Sequence, residues 1–230
     1  MTFVYLAEPH GLKVVIWLYS ETHRMDISPL IFFTSCTSLN VEPCIIGGMN
    51  TPVTRRFVVP DVVASHFHIR EGDIVADYGA GSGFFLSVLS RAAGEAGRVF
   101  ACEIQKNLVE KLGDQARTLG LHNVHPLWCD LEAANGIKIS TGELDIAVLV
   151  NTFFQMEDKE TAVQEMGRTV RKGGKFFVVD WSESFSGLGP QPNQVISANE
   201  TKALFESNGF IVDGEFDAGE HHYGLAFRKL

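Results

Sequence analysis

The chain has 230 residues, enough for one α/β domain with a sizeable hydrophobic core. Its 45% hydrophobic and 20% charged residues are typical of a globular protein, and the apolar runs at 14–19 and 31–33 are too short to span a bilayer. The formal net charge of −9 argues against a broad basic face for nucleic acid.

The N-terminal residues do not resemble a signal peptide, because no basic segment opens the chain and Glu8 precedes the first apolar run. Four cysteines are present, and no two of them form a C-x-x-C pair. They are Cys36, Cys44, Cys102 and Cys129. We therefore expect reduced thiols in a cytoplasmic protein.

Residues 1–48 differ from the rest of the chain, since they are rich in Ser, Thr, Pro and Cys and show no long helical or strand period. We expect a poorly specified N-terminal extension over 1–48, followed by a single domain over 49–230. The alternative is a lid or an oligomerisation arm, because Trp17 and Phe32 could pack on another surface.

From residue 60 onward, predicted strands and helices alternate along the chain. The predicted strands are 74–77, 98–103, 124–129, 144–150, 175–180, 211–216 and 222–228. The predicted helices are 61–67, 84–93, 106–119, 161–170 and 198–208. This order predicts an α/β fold with a doubly wound, mostly parallel sheet, and the last two strands, which no helix separates, predict one antiparallel strand near its edge.

Local signals predict the faces and ends of these helices. Helix 84–93 places Phe85, Val88, Leu89 and Ala92 on one face, and Leu108, Leu112 and Leu119 fit a helix over 106–119. Gly173-Gly174 predicts the stop after helix 161–170. The sequence Ser197-Ala198-Asn199-Glu200 is a capping box that should open the last helix.

The most informative segment follows the first predicted strand of the domain and reads Asp77-Tyr78-Gly79-Ala80-Gly81-Ser82-Gly83. Its three glycines allow a tight turn and the close approach of a ligand to the backbone, and the next helix offers free N–H groups. The dinucleotide pattern G-x-G-x-x-G fails in both registers, because Phe84 and Leu86 stand where glycine is required. The Walker pattern fails as well, since no Gly-Lys-Ser/Thr follows.

The remaining pattern, Asp-x-Gly-x-Gly-x-Gly, resembles motif I of the class I S-adenosylmethionine-dependent methyltransferases. In that family this loop passes beneath the methionine part of the cofactor. The resemblance implies a seven-stranded Rossmann-like sheet and S-adenosyl-L-methionine as cofactor. It also implies a cofactor-binding role for Asp77, Gly79, Ala80, Gly81 and Gly83.

Acidic residues end the next two predicted strands. Glu103 lies twenty residues after Gly83, where a carboxylate can accept hydrogen bonds from both ribose hydroxyls; the alternative is a solvated charge at a strand end. The family resemblance assigns the ribose to Glu103 with its neighbour Ile104, and the adenine to Asp130 and Leu131. Asp130 could equally cap a turn.

The fourth strand of the domain runs into Asn151-Thr152-Phe153-Phe154, which resembles motif IV, the segment that faces the transferred methyl group. Enzymes that methylate nucleobase amines usually carry two prolines here, and this chain has neither. We take Asn151 as the candidate catalytic and cofactor-contacting residue. Asn151 and Gln155 could orient a substrate, or they could cap the following helix.

Further candidate site residues lie in the loop after the fifth strand and among the histidines. Asp180, Trp181, Glu183 and Phe185 could bind a cationic or aromatic acceptor, or the loop could only cover the core. His68, His221 or His222 could act as a general base. His66 and His68 would not share a helix face, so no metal site is predicted.

The closing segment 219–227 resembles the final hairpin of small methyltransferases of the ubiquinone-type group, which act mainly on small molecules. The sequence therefore predicts methyl transfer to a small-molecule acceptor, without nucleic acid or membrane partners. The alternatives are a methyltransferase acting on protein or RNA, and a non-catalytic partner subunit that binds S-adenosylmethionine.

Overall fold

The computed structural model describes residues 2–7, 13–18, 58–185 and 189–230. At the N-terminus, β1 (Thr2–Ala7) and β2 (Lys13–Leu18) form an antiparallel pair, where the sequence predicted no strand. This pair and the domain from residue 58 belong to separate compact units. The predicted boundary between residues 48 and 49 lies outside the described residues, and so do Cys36 and Cys44.

The domain contains seven strands and five helices among its described residues. The strands are β3 (Ile74–Tyr78), β4 (Arg98–Glu103), β5 (Val124–Trp128), β6 (Leu144–Val150), β7 (Val170–Trp181), β8 (Phe210–Phe216) and β9 (His222–Lys229). The helices are α1 (Pro60–Ser65), α2 (Leu86–Ala93), α3 (Lys106–Leu119), α4 (Lys159–Thr169) and α5 (Ala198–Ser207), with a 3₁₀ turn at Phe153–Gln155. The predicted bounds of β4, β6 and α3 are confirmed, and so is the capping box at Ser197 and Glu200.

The seven strands form one sheet in the order β5-β4-β3-β6-β7-β9-β8. The five strands from β5 to β7 pair in parallel, whereas β9 runs antiparallel to both β7 and β8. This confirms the predicted doubly wound α/β fold with an antiparallel strand near the edge. The strand order reverses between β3 and β6, and ligands bind at such a switch point.

Helices cover both faces of the sheet. Residues of α4 and α5, such as Met166 and Phe205, belong to the core on one face, whereas residues of α1 and α2, such as Val63 and Leu89, belong to the core on the other. Strand β6 contributes alternate side chains to both cores, which explains its nearly continuous apolar sequence. No helix in the described part of the chain is long and apolar enough to cross a membrane.

The buried face of α2 is rotated relative to the prediction. Of the four residues predicted to share one face, Phe85 and Leu89 are buried, but Val88 and Ala92 are only half-buried. The glycine turn extends to Phe85, so the helix begins at Leu86 and directs Leu86, Leu89, Ser90 and Ala93 inward. The Ser90 hydroxyl tolerates burial because it donates a hydrogen bond to Asn123 Oδ1 at 2.5 Å.

The three leucines of α3 differ in their exposure. Leu112 is buried and Leu108 half-buried, but Leu119 remains 51% exposed. It occupies the last position of the helix, directly before Gly120 in the left-handed conformation. Ala116 is the buried residue of the last turn instead.

Gly173-Gly174 does not stop α4, contrary to the prediction. The helix ends at Thr169, and β7 already begins at Val170, so both glycines lie inside a strand. Val170 pairs with Leu144, and the register then shifts before Ile146 pairs with Lys175. The glycines therefore occupy the irregular stretch of β7 rather than a helix terminus.

Candidate cofactor site

A cleft of ≈ 400 Å³ opens at the carboxyl ends of the central parallel strands. This volume lies within the roughly 300–1,000 Å³ typical of small-ligand sites. Of the residues predicted for the cofactor, those that line the cleft are Gly79, Gly81, Glu103, Ile104, Asp130, Leu131 and Asn151. Those that do not line it are Asp77, Ala80 and Gly83.

The glycine turn forms one wall of the cleft, and its backbone requires glycine. Gly79, Gly81 and Gly83 have φ angles of 70°, 55° and 80°. A Cβ atom on Gly79 would lie 2.4 Å from Thr152 Oγ1, so a side chain there would clash with the segment after β6. Around Gly81 the nearest atom to such a Cβ is 3.8 Å away, which leaves the backbone open to the cleft.

Gly83 has a different environment from the other two glycines. A Cβ atom there would lie 2.7 Å from Gln115 Oε1 and 2.9 Å from Leu112 Cδ2. Gly83 therefore has a structural role, because it allows the start of α2 to pack closely on α3.

Glu103 is held at the end of β4 by two backbone donors. Its Oε2 accepts a hydrogen bond from Gly81 N at 3.1 Å, and its Oε1 accepts one from Gln105 N at 2.9 Å. The side chain is only 7% exposed. Each carboxylate oxygen can accept a second hydrogen bond, so Glu103 remains able to receive two hydroxyl donors.

Asp77 lies at the base of the glycine turn and is 3% exposed. Burial, together with the negative charge of Glu103, raises the pKa of Asp77 to about 7. The end of β3 therefore carries a carboxyl group that is costly to ionise in the absence of a nearby cation.

The wall formed after β5 carries two further acids. Asp130 Oδ1 accepts a hydrogen bond from Glu132 N at 3.1 Å, so Asp130 both caps a turn and lines the cleft. Glu132 Oε2 accepts hydrogen bonds from Glu157 N at 2.8 Å and Asp158 N at 2.6 Å. Glu132 thus joins this wall to the segment that leads into α4, a connection that the sequence analysis missed.

Asn151 lies on the opposite wall with an unusual backbone. Its φ angle is 53°, in the left-handed region that Asn tolerates better than most residues. Its backbone oxygen accepts a hydrogen bond from Gln155 Nε2 at 2.9 Å, and within the described part of the chain its buried Oδ1 has no hydrogen-bond partner. Neither residue caps α4, because the N-cap side chain there is that of Asp158.

Asp180 has a different environment from the one expected of an acceptor-binding residue. It is fully buried, and its oxygens accept hydrogen bonds from Phe154 N at 3.0 Å and Trp181 N at 2.8 Å. Burial raises its pKa to about 6, although these backbone donors oppose the shift. Asp180 therefore holds the turn that follows Asn151 and is not exposed to an acceptor.

The other loop residues associate with the final hairpin. Glu183 Oε1 lies 2.6 Å from His221 Nδ1, and the Phe185 ring stacks on His221 with a centroid distance of 3.9 Å. The rings of Trp181 and His222 lie 4.3 Å apart. These residues are far apart in sequence, and the structure brings them together at the carboxyl end of β7.

His66 and His68 lie in and just after the turn that ends α1. His66 is the C-cap residue of the helix and stacks on Phe216 at 4.9 Å, and His68 has a φ angle of 50°. Neither lines the cleft. Over the described ranges, no group of three or more His, Cys, Asp or Glu side chains is placed to hold a metal ion.

Comparisons with known proteins agree with this arrangement. A family model described as a methyltransferase domain matches residues 76–178, from the middle of β3 to β7. A crystal structure of an S-adenosylmethionine-dependent methyltransferase from Aquifex aeolicus superimposes with a TM-score of 0.70 and 26% identity, over 76% of this chain and 91% of that one. Residues 76–178 carry a methyltransferase domain of the class I S-adenosylmethionine-dependent type.

Two further comparisons show how far the similarity extends. The ubiquinone/menaquinone biosynthesis C-methyltransferase of Haemophilus ducreyi is 28% identical over 116 residues, which are 50% of this chain and 44% of that protein. The chain thus matches less than half of the length of this curated relative. The geranyl diphosphate C-methyltransferase of Streptomyces coelicolor, crystallised with S-adenosyl-L-homocysteine, shares the fold with a TM-score of 0.62 at 13% identity, over 74% of this chain and 78% of that one.

The chemistry of the cleft fits the cofactor of this methyltransferase family. S-adenosylmethionine carries a sulfonium cation, an ammonium group, a carboxylate and a neutral adenosine, so it has a single net positive charge and no phosphate. The described lining contains the carboxylates Glu103, Asp130 and Glu132 and no Lys, Arg or His. Such a cleft favours a cationic ligand and disfavours a pyrophosphate, and the buried Asn151 Oδ1 offers an acceptor without a donor.

Proposed function

We propose that the protein transfers the methyl group of S-adenosylmethionine to a small-molecule acceptor. The observation that carries this proposal is the convergence of the glycine turn, Glu103, Asp130 and Asn151 on one acidic cleft. These residues lie at the carboxyl ends of four different strands, yet they line a single space of suitable volume.

Each wall of the cleft has a proposed role in binding the cofactor. Glu103 accepts hydrogen bonds from the ribose hydroxyls, since two backbone donors already fix its carboxylate. Asp130 accepts from the adenine amino group, with Leu131 and Ile104 as apolar neighbours. The open backbone of Gly81 lies next to the methionine part of the cofactor. Gly79 lies there as well, and Asp77 lies behind these two glycines.

The proposed role of the protein in the reaction is alignment and exclusion of water. When bound, the cofactor supplies a methyl group that its sulfonium sulfur has already activated. Asn151 orients a donor group of the acceptor or of the cofactor through Oδ1, since this atom is buried and has no partner within the described residues. Asp180 keeps the turn after Asn151 in place through the N–H of Phe154. Such alignment can supply a large share of a rate enhancement.

A small-molecule acceptor is supported by the relatives, one of which is named as a ubiquinone/menaquinone biosynthesis C-methyltransferase. The formal net charge of −9 and the absence of Lys and Arg from the described lining disfavour a polyanionic acceptor at this cleft. Carbon acids and hydroxyl compounds of low molecular weight are therefore the first acceptors to examine.

Calorimetric titration of the full chain tests the cofactor assignment. S-adenosylmethionine should bind with a micromolar dissociation constant, and NAD should not bind. Transfer of a labelled methyl group to members of a small-molecule panel then tests the reaction. Binding of NAD alone would overturn the proposal, and cofactor binding with label transferred only to protein or RNA would overturn the acceptor class.

A further inference from the structure

Two buried cysteines on neighbouring strand ends contribute to the lining of the cleft. Cys102 is in β4 and Cys129 directly follows β5, its parallel neighbour, and both line the cleft. Cys102 pairs with Leu127, so Cys129 lies two residues further on and faces the same side of the sheet. The two thiol groups are close enough to affect each other's ionisation, and neither cysteine is part of a disulfide.

The surroundings of the two thiols are unequal. The neighbouring Cys102 thiol lowers the pKa of Cys129 despite the opposing effect of its burial, and the backbone N–H and positive charge of Lys138 lower it further. Burial raises the pKa of Cys102 instead. Cys129 is therefore the thiol that ionises more readily, and the thiolate is the form that reacts with oxidants.

We propose that Cys102 and Cys129 form a reversible disulfide across the floor of the cleft when they meet a two-electron oxidant such as hydrogen peroxide. The Cys129 thiolate attacks the peroxide and becomes a sulfenic acid, and hydroxide leaves. The Cys102 sulfur then displaces the sulfenic hydroxyl group as water. Overall, two thiols and one peroxide give one disulfide and two waters.

A disulfide between these two cysteines would also change the cofactor site. Cys102 directly precedes Glu103, and Cys129 directly precedes Asp130. Disulfide geometry is narrow, so closing the bond draws together the ends of β4 and β5 and shifts both acids. The resulting loss of cofactor affinity rests on the proposed function, whereas formation of the disulfide does not.

Peptide mapping of the full chain tests the bond itself. After peroxide treatment and alkylation of the remaining thiols, trypsin separates Cys102 in peptide 99–106 from Cys129 in peptide 118–138. We expect these peptides as one linked species, two hydrogens lighter than their sum, which dithiothreitol separates. Cys36 and Cys44 share peptide 25–55, so a Cys36→Ser, Cys44→Ser double variant should still give the link. Alkylation of both cleft cysteines after excess peroxide, or a link to Cys36 or Cys44 instead, would overturn the proposal.

Calorimetry with S-adenosylmethionine tests the consequence. Oxidised protein should bind at least tenfold more weakly than reduced protein, and dithiothreitol should restore the affinity. Peroxide should cause no such reversible loss in Cys102→Ser, which cannot form the bond. Equal affinities of the oxidised and reduced protein would refute the effect on the cofactor, whereas no binding by the reduced protein would refute the proposed function and leave the mapped disulfide unaffected.

Discussion

The carboxylate of Glu103 accepts a hydrogen bond from the backbone N–H of Gly81, and this contact joins the end of β4 to the glycine turn. A second backbone donor, Gln105 N, fixes the other oxygen. Hydrogen bonds to an ionised acceptor are stronger than those between neutral groups. Two walls of the cleft are therefore fixed relative to each other before any ligand enters.

The first prediction concerns Glu103→Ala. The variant loses both proposed ribose hydrogen bonds and frees the turn, so S-adenosylmethionine should bind more weakly by about 1–3 kcal/mol. Calorimetric titration measures the change. Glu110→Ala is the control, since Glu110 is exposed on α3 and should leave the affinity unchanged. Unchanged affinity in a folded Glu103→Ala variant would contradict the ribose assignment.

The second prediction separates steric from conformational effects in the glycine turn. Gly79 and Gly120 have nearly equal φ angles of 70° and 66°, but only at Gly79 would a Cβ atom meet a neighbour, Thr152 Oγ1 at 2.4 Å. Gly120→Ala should cost roughly 1–2 kcal/mol of stability, the price of the left-handed conformation. Gly79→Ala should reduce stability by more than Gly120→Ala and should abolish cofactor binding. Equal losses in thermal denaturation would show that Thr152 moves aside.

The sheet was predictable because its strands are locally distinctive. Each central strand is a short apolar run between glycines or polar turns, and β4 and β6 were predicted with their observed bounds. The start of β7 was not predictable, because it depends on the pairing of Val170 with Leu144, a contact between residues far apart in sequence. A glycine pair that resembles a helix stop can equally serve an irregular stretch of strand.

In the candidate site, too, some features could be predicted from the sequence and others could not. Residues at strand ends, such as Glu103 and Asp130, could be predicted because the fold brings those ends to one edge. The bond from Glu132 to the backbone before α4 could not, since the sequence does not show which loop lies opposite. For Asp180 the sequence left two interpretations open, an acceptor-binding residue or part of a loop that covers the core. Only the packed structure shows that Asp180 is buried and accepts hydrogen bonds from backbone N–H groups.

The third prediction concerns the cost of ionising Asp77. Its pKa is raised to about 7 in the folded protein from a usual value of 3.8, so the folded state binds more protons than the unfolded state between these values. Stability should therefore fall as the pH rises from about 4 to about 7, by at most about 4 kcal/mol for this group. Asp77→Asn removes the cost and should stabilise the protein at pH 8 but hardly at pH 4.

Urea denaturation at both pH values measures this effect. Asp114→Asn is the control, because Asp114 is exposed and should change stability little at either pH. The Asp77→Asn variant should at the same time bind S-adenosylmethionine more weakly, since it lacks a negative charge behind the methionine end. A variant that is no more stable at pH 8 than the natural protein would contradict the burial argument.

The last prediction concerns the connection between the two walls of the cleft. Glu132 Oε2 accepts from the N–H groups of both Glu157 and Asp158, so Glu132→Ala leaves these donors without their acceptor and frees the segment before α4. We expect cofactor affinity to fall roughly tenfold, mainly through faster dissociation, because the adenine wall loses its support. Glu157→Ala is the matched control, since it removes a carboxylate from the same segment but keeps the backbone donor. Stopped-flow displacement of bound cofactor distinguishes the two variants, and equal dissociation rates would show that the segment holds its position without Glu132.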